Sequence, residues 1–238
     1  LMDTGMTIAE TNRLSVGYRN RKRVFKVMDG LSLSARRGEL VALIGRNGTG
    51  KSTLLRTLVG LQPPLQGSIA LDGHALGEIG ISQLPKLVSF ASTEPFTIHN
   101  IRVRDVVSLG RFPYTNWIGT LTDSDEEAVA IALEATGLSG LENRSIDSIS
   151  DGERQRTLIA RSLAQDTGLL VMDEPTAFLD LPSRYGIVSL LRRLTREKGK
   201  CVISSTHALD TAITQADTIW LMTGDGVTEG APEDLMIT

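Results

Sequence analysis

Residues 45 to 53, Gly45-Arg46-Asn47-Gly48-Thr49-Gly50-Lys51-Ser52-Thr53, satisfy the spacing G-x-x-x-x-G-K-[ST] of a phosphate-binding loop. The chemistry follows from the residue types. Glycines let the backbone approach a polyphosphate closely, and the start of a helix offers free N–H groups and the positive end of its dipole. Backbone amides from Asn47 to Ser52 are expected to cradle the β-phosphate, Lys51 to reach the β- and γ-phosphates, and the Ser52 hydroxyl to ligate Mg²⁺. A glycine-rich turn of purely structural purpose would match this spacing by chance in roughly one chain in a hundred of this length. The flanking sequence argues against that reading. Glu39 to Ile44 is short, apolar and partly β-branched, while Leu54, Leu55, Leu58 and Leu61 recur at helical spacing, so a strand feeds the turn and a helix leaves it.

A second constellation is Leu169-Leu170-Val171-Met172-Asp173-Glu174-Pro175, an apolar strand ending in two carboxylates. Burial explains the apolar run but not the acids. Beside a phosphate loop, Asp173 suits the Mg²⁺ coordination shell and Glu174 suits proton acceptance from an attacking water. A third is Ser150-Asp151-Gly152-Glu153 ahead of an apolar-periodic run. Ser150 and Glu153 stand at capping-box spacing, which alone accounts for both. It does not account for Gly152 in the first turn, where a helix former is favoured and a glycine admits a close neighbour.

The elements that must position these groups are legible at coarse grain. Residues 6–18 and 24–36 read as two antiparallel strands flanking a basic turn, with Tyr18 at the end of the first. Further strands are expected at 67–73 and 87–91, with a short helix near 81–86 between them. From about 93 to 165 the pattern turns helical, with pieces at 103–109 and 126–136 joined by Gly110-Arg111-Phe112-Pro113-Tyr114-Thr115-Asn116-Trp117. Ser124 with Glu127, and Thr122 with Asp125, both stand at capping-box spacing before the second piece. After 166, strands and helices alternate at 168–173, 183–197, 200–205, 208–215 and 217–222, which predicts a mainly parallel sheet. The expected architecture is a single α/β domain. Its nucleotide-binding core is formed by 1–92 and 166–238, with an N-terminal antiparallel portion, and 93–165 is an inserted helical subdomain.

Composition narrows the class of function. A length of 238 residues with 41% hydrophobic content supports a sizeable core. A net charge of −3 argues against a protein that works by neutralising many nucleic-acid phosphates. The single cysteine, Cys201, forms no intrachain disulfide, and no stretch approaches 18 apolar residues.

Taken together, these motifs resemble the ATP-binding cassette ATPases that power membrane transporters, and the resemblance covers nearly the whole chain. Residues 45–52 match that family's Walker A motif and Leu170 to Glu174 its Walker B motif with the following glutamate. Ile149 to Glu153 stands where the family has Leu-Ser-Gly-Gly-Gln, and Thr176-Ala177-Phe178-Leu179-Asp180 resembles its D-loop. His207 falls at its switch histidine, and Tyr18 where an aromatic ring stacks on adenine. The resemblance implies a P-loop NTPase (RecA-like) fold and a dimer, most simply a homodimer, that sandwiches ATP. Ser150, Gly152 and Glu153 would then face the γ-phosphate bound by the other copy, Asp180 would link the two sites, and His207 would contact the γ-phosphate within one chain.

Two departures stand out. The family's glutamine after the strand at 87–91 is replaced by Ser92-Thr93-Glu94, so Thr93 would have to hold a water near Mg²⁺ with a shorter reach. The signature carries Asp151 and Glu153, which add negative charge near a γ-phosphate site. Both predict slow hydrolysis by the isolated chain. Residues 110–114, 119–122 and the acidic 123–127 look most like importers of iron-siderophore, haem and cobalamin complexes. That likeness implies a permease docking near 93–117, an extracytoplasmic substrate-binding protein acting indirectly, and a peripheral place on the cytoplasmic face of the membrane. The alternative is a nucleotide-gated switch of the same fold in a soluble complex.

Overall fold

The computed structural model describes residues 5–20, 23–92, 100–177, 179–207 and 209–235. The chain opens with β1 (Thr7–Asn20), β2 (Arg23–Leu31) and β3 (Ser34–Arg36), then β4 (Leu40–Gly45) and α1 (Lys51–Leu58). Next come β5 (Gln66–Leu71), β6 (His74–Ala75), α2 (Leu84–Leu87) and β7 (Val88–Ala91). The helical stretch holds α3 (Val103–Ser108), a 3₁₀ turn at Leu109–Tyr114, α4 (Asp123–Ala135) and α5 (Asp151–Ala164). The chain continues through β8 (Leu169–Met172), α6 (Leu181–Lys198), β9 (Cys201–Thr206), α7 (Leu209–Gln215), β10 (Thr218–Met222), β11 (Val227–Gly230) and α8 (Pro232–Leu235).

Two sheets result. One has the order β2-β1-β5-β6 with β3 also paired to β1, all antiparallel. The other has the order β11-β10-β4-β9-β8-β7, parallel except for β11 at its edge. Leu40 to Ile44 of β4 and all of β8 are apolar and buried, with α1 packed on one face of the sheet and α6 on the other. The order β4-β9-β8 has a functional consequence. It puts β9 between the strand that feeds the phosphate loop and the strand that leads to Asp173, so their carboxyl ends lie side by side at one end of the parallel strands.

Three expectations are corrected locally. The strand expected at 24–36 is two, because Ser32 and Leu33 part β2 from β3 while both still pair with β1. Leu87 ends α2 rather than opening the next strand. Of the two capping-box candidates before α4, Thr122 and Asp125 form it, while Ser124 and Glu127 lie within the helix. Asp125 wins because its carboxylate also accepts from Arg111 in a buried pocket. β11 and α8 are additional elements after β10.

The helical stretch has its own apolar cluster, including Val103, Val106, Val129, Leu133 and Ile146, to which α5 contributes Ala160 and Ala164. The neighbouring Ile159 of α5 packs instead with Leu170 and Met172 of β8. One helix therefore belongs to two cores and ties its own N-terminus to the strand carrying Asp173. Gly110 is required here, since a side chain on it would fall 2.2 Å from the Arg161 carbonyl oxygen. Arg111 is buried, donating to Asp125 at 2.8 Å and to the Ala164 carbonyl at 2.8 Å, and stacks over Tyr114. Phe112 and Trp117 remain exposed.

Candidate functional site

The phosphate loop leaves β4 at Gly45 and enters α1 at Lys51. Gly48 and Gly50 both have positive φ, +79° and +107°. Gly50 is doubly constrained, because a Cβ there would lie 2.1 Å from Val27 Cγ1 on β2. As the N-cap of α1, Gly50 offers no side-chain acceptor, and the first turn carries no acid. The helix therefore presents its first amides with no internal anion to satisfy them, which fits a phosphate. Lys51 is buried and its Nζ donates to the carbonyls of Gly45 at 2.8 Å and Arg46 at 3.2 Å, arching over the loop. Burial pulls its pKa down, and the negative charges of Glu174 and Asp173 work against that pull. Thr53 is buried and shares a 2.7 Å hydrogen bond with the Tyr18 hydroxyl, which pins the half-exposed Tyr18 ring beside the loop.

At the adjacent strand end, Asp173 is buried and Glu174 half-buried. Ser205 of β9, absent from the sequence-based candidates, joins them. Its hydroxyl donates to Asp173 Oδ1 at 2.6 Å and accepts from the Glu174 amide at 2.9 Å. Glu174 has φ +52°, a conformation a non-glycine residue adopts only when its surroundings hold it there. Ser205 supplies that hold and fixes the direction of the Asp173 carboxylate at the same time. The sequence marks it only as one of several hydroxyl residues in the strand Cys201-Val202-Ile203-Ser204-Ser205-Thr206, and its complete burial emerges with the fold. His207, just beyond β9, has Nε2 in hydrogen-bond contact with Glu174 Oε1.

The oxygen donors Ser52 and Asp173 are of the kind Mg²⁺ prefers, a hydroxyl and a carboxylate with room for waters and phosphate oxygens. No group of three or more His, Cys, Asp or Glu gathers into a metal cluster among the described residues, and such a Mg²⁺ site needs none. Thr93 lies outside the described residues.

Ser150 and Asp180 each stand at the start of a helix, and the turn after Glu174 leads toward the second of them, with the Ala177 amide donating to the Glu174 carbonyl. Ser150 caps α5, and Glu153 turns back to accept from the Ser150 amide at 2.8 Å and its hydroxyl at 2.9 Å. Those two bonds hold the Glu153 carboxyl below its ordinary pKa. The carboxylate is thus committed to its own helix start, with Gly152 beside it in the first turn. Asp180 caps α6 by accepting from the Ser183 amide at 3.0 Å, so local helix stability already uses it.

Residues 28–177 match the family model described as "ABC transporter". The probable siderophore transport system ATP-binding protein YusV of Bacillus subtilis is 36% identical over 233 residues, covering 98% of this chain and 83% of that protein. The ferric enterobactin transport ATP-binding protein FepC of Escherichia coli is 36% identical over 225 residues, covering 94% of this chain and 82% of that protein. Among solved structures, an inward-facing putative metal-chelate type ABC transporter superposes with a TM-score of 0.83 at 27% identity, covering 97% of this chain and 85% of that one. The soluble-switch alternative finds no support among these relatives. A family match that takes in both phosphate-site motifs, together with near-complete coverage by transport ATP-binding proteins, leaves one reading: the chain belongs to the ABC transporter family, as the subunit that binds and hydrolyses ATP.

Proposed function

We propose that this chain powers import of an iron-chelate of the siderophore, haem or cobalamin class through a separate permease, working as one of two identical cassettes. The observation that carries the catalytic part is the convergence of Asp173, Glu174 and His207 at the carboxyl ends of the parallel strands, within electrostatic reach of Lys51, with Ser205 bonded to both acidic residues. ATP would lie with its triphosphate on the amides of Gly45 to Thr53 and its base against Tyr18. Ser52 and Asp173 would hold Mg²⁺, which supplies charge neutralisation to the phosphates, and Thr93 is proposed for a water in that shell. Glu174 orients a water and accepts its proton as the water oxygen bonds to the γ-phosphorus and the bond to the ADP oxygen breaks. His207 exchanges its contact with Glu174 for the γ-phosphate. Charge on the transferring group is met by Lys51, by His207 and by the α5 start of the second copy, through Ser150 and the backbone amides of Gly152 and Glu153, while Asp180 couples the two sites. The division into a core of 1–92 and 166–238 and a helical subdomain of 93–165 belongs to the same proposal.

The transported class is supported by the relatives' names, which include ferric enterobactin and iron(3+)-hydroxamate systems. The exposed Phe112 and Trp117 favour a permease dock within 93–117, with the chain peripheral on the cytoplasmic face and a substrate-binding protein outside. Among the described residues no helix is long and apolar enough to cross a membrane. The test is uptake of a ferric siderophore into vesicles holding the permease and this chain. Uptake is expected with the parent chain and abolished by Glu174→Gln. Uptake at the parental rate in that variant would overturn the catalytic assignment, and ATP-driven uptake of no iron-chelate or corrinoid would overturn the transported class.

A further inference from the structure

Phe25 sits directly opposite Tyr18 in the antiparallel pairing of β1 and β2. Directly opposed residues share a sheet face. Which face this is follows from β1: Val16, two residues before Tyr18, is buried with Met28 opposite it, in the same cluster as Leu54 and Leu55 of α1. The Tyr18 hydroxyl reaches Thr53 of that helix. An irregular register between Val16 and Gly17 makes Val27 the extra residue of β2, and Val27 abuts Gly50 of the phosphate loop. The hairpin therefore leans on the loop, and past its buried part the face carries two aromatic rings, Tyr18 at 49% exposure and Phe25 at 55%. Tyr18 is tethered by its hydroxyl. Phe25 has no polar side-chain atom and stands half in solvent beside it.

We infer that Phe25 is a second base-binding residue, so that the nucleobase of ATP meets a cross-strand aromatic pair rather than Tyr18 alone. The inference rests on the phosphate-site reading, since the triphosphate on the loop brings the base to this face. Stacking on aromatic rings is sequence-tolerant because every base has a π-face, and its loss costs roughly 5- to 160-fold in affinity.

The test is titration of the purified chain with ATP and with inorganic tripolyphosphate, which has the phosphates but no base. Phe25→Ala should weaken ATP about tenfold, leave tripolyphosphate unchanged, and be rescued by Phe25→Tyr. An ATP affinity equal to the parent's would overturn the inference. So would equal weakening of both ligands, which would make Phe25 a support for the loop. If the parent bound neither ligand, the phosphate site itself would fall and this inference with it.

Discussion

The hydroxyl of Ser205 is the point at which the two acids of the site become one unit. It touches no substrate in the proposed mechanism, yet it sets the direction of Asp173 and holds Glu174 at a positive φ. Ser205→Ala should therefore leave ATP affinity near the parent's while lowering kcat by about 10- to 100-fold, the usual cost of removing a group that orients a metal ligand. Thermal denaturation should also show a loss of about 1–3 kcal/mol, because a buried carboxylate oxygen and an amide lose their partner. A parental kcat in that variant would show that the acids need no such support. His207 makes a different prediction. The role proposed for it requires the contact with Glu174 to be given up when ATP binds, so a nucleotide-bound structure should show Nε2 moved off Oε1. Persistence of that contact with ATP bound would contradict the role proposed for His207.

At the level of elements, the loop and the two helix starts divide the work between binding and stability. Gly50→Ala places a methyl group 2.1 Å from Val27 Cγ1 in a backbone at φ +107°, so it should cost about 1–3 kcal/mol and weaken ATP binding measured by titration. At the start of α4, Asp125 accepts from the Thr122 hydroxyl and amide and from Arg111, which together lower its pKa to about 2 from an ordinary 3.8. A carboxyl that releases its proton more readily folded than unfolded stabilises above 3.8 and loses that contribution as pH falls through about 2. Acid unfolding of the parent should steepen in that window and the slope should flatten in Asp125→Asn, which at neutral pH loses stability by leaving Arg111 buried without its charge partner. The same elements show what the sequence discloses. The phosphate loop and the strand ending in Asp173 are legible because ligand chemistry and burial leave residue types that packing alone does not explain. Ser205 is not, because a serine in a strand acquires meaning only when β9 is known to lie between β4 and β8. The cap of α4 is ambiguous locally, as two pairs share the spacing, and a tertiary partner, Arg111, decides between them. β11 and α8 are short and follow the turn Gly224-Asp225-Gly226, too little chain for any periodicity to register.

For the whole molecule, the proposed mechanism needs a second copy to complete the site. The start of α5, which carries Ser150 and Gly152, is capped internally by Glu153 and belongs in part to a separate apolar core. In the sandwich dimer proposed above, that segment would meet the ATP of the other copy, which would account for a glycine in the first turn of a helix. The Glu153 carboxylate stays ionised and bonded to the Ser150 amide and hydroxyl, so its charge is one source of the slow hydrolysis expected of the isolated chain. The most direct test is ATP hydrolysis per chain as a function of protein concentration, with Lys51→Ala and Glu174→Gln alongside. The account predicts a rate per chain that rises with concentration toward a plateau, is lost in both variants, and in Glu174→Gln is replaced by an ATP-dependent dimer on size exclusion. A rate per chain independent of concentration from a protein that stays monomeric with ATP bound would contradict it.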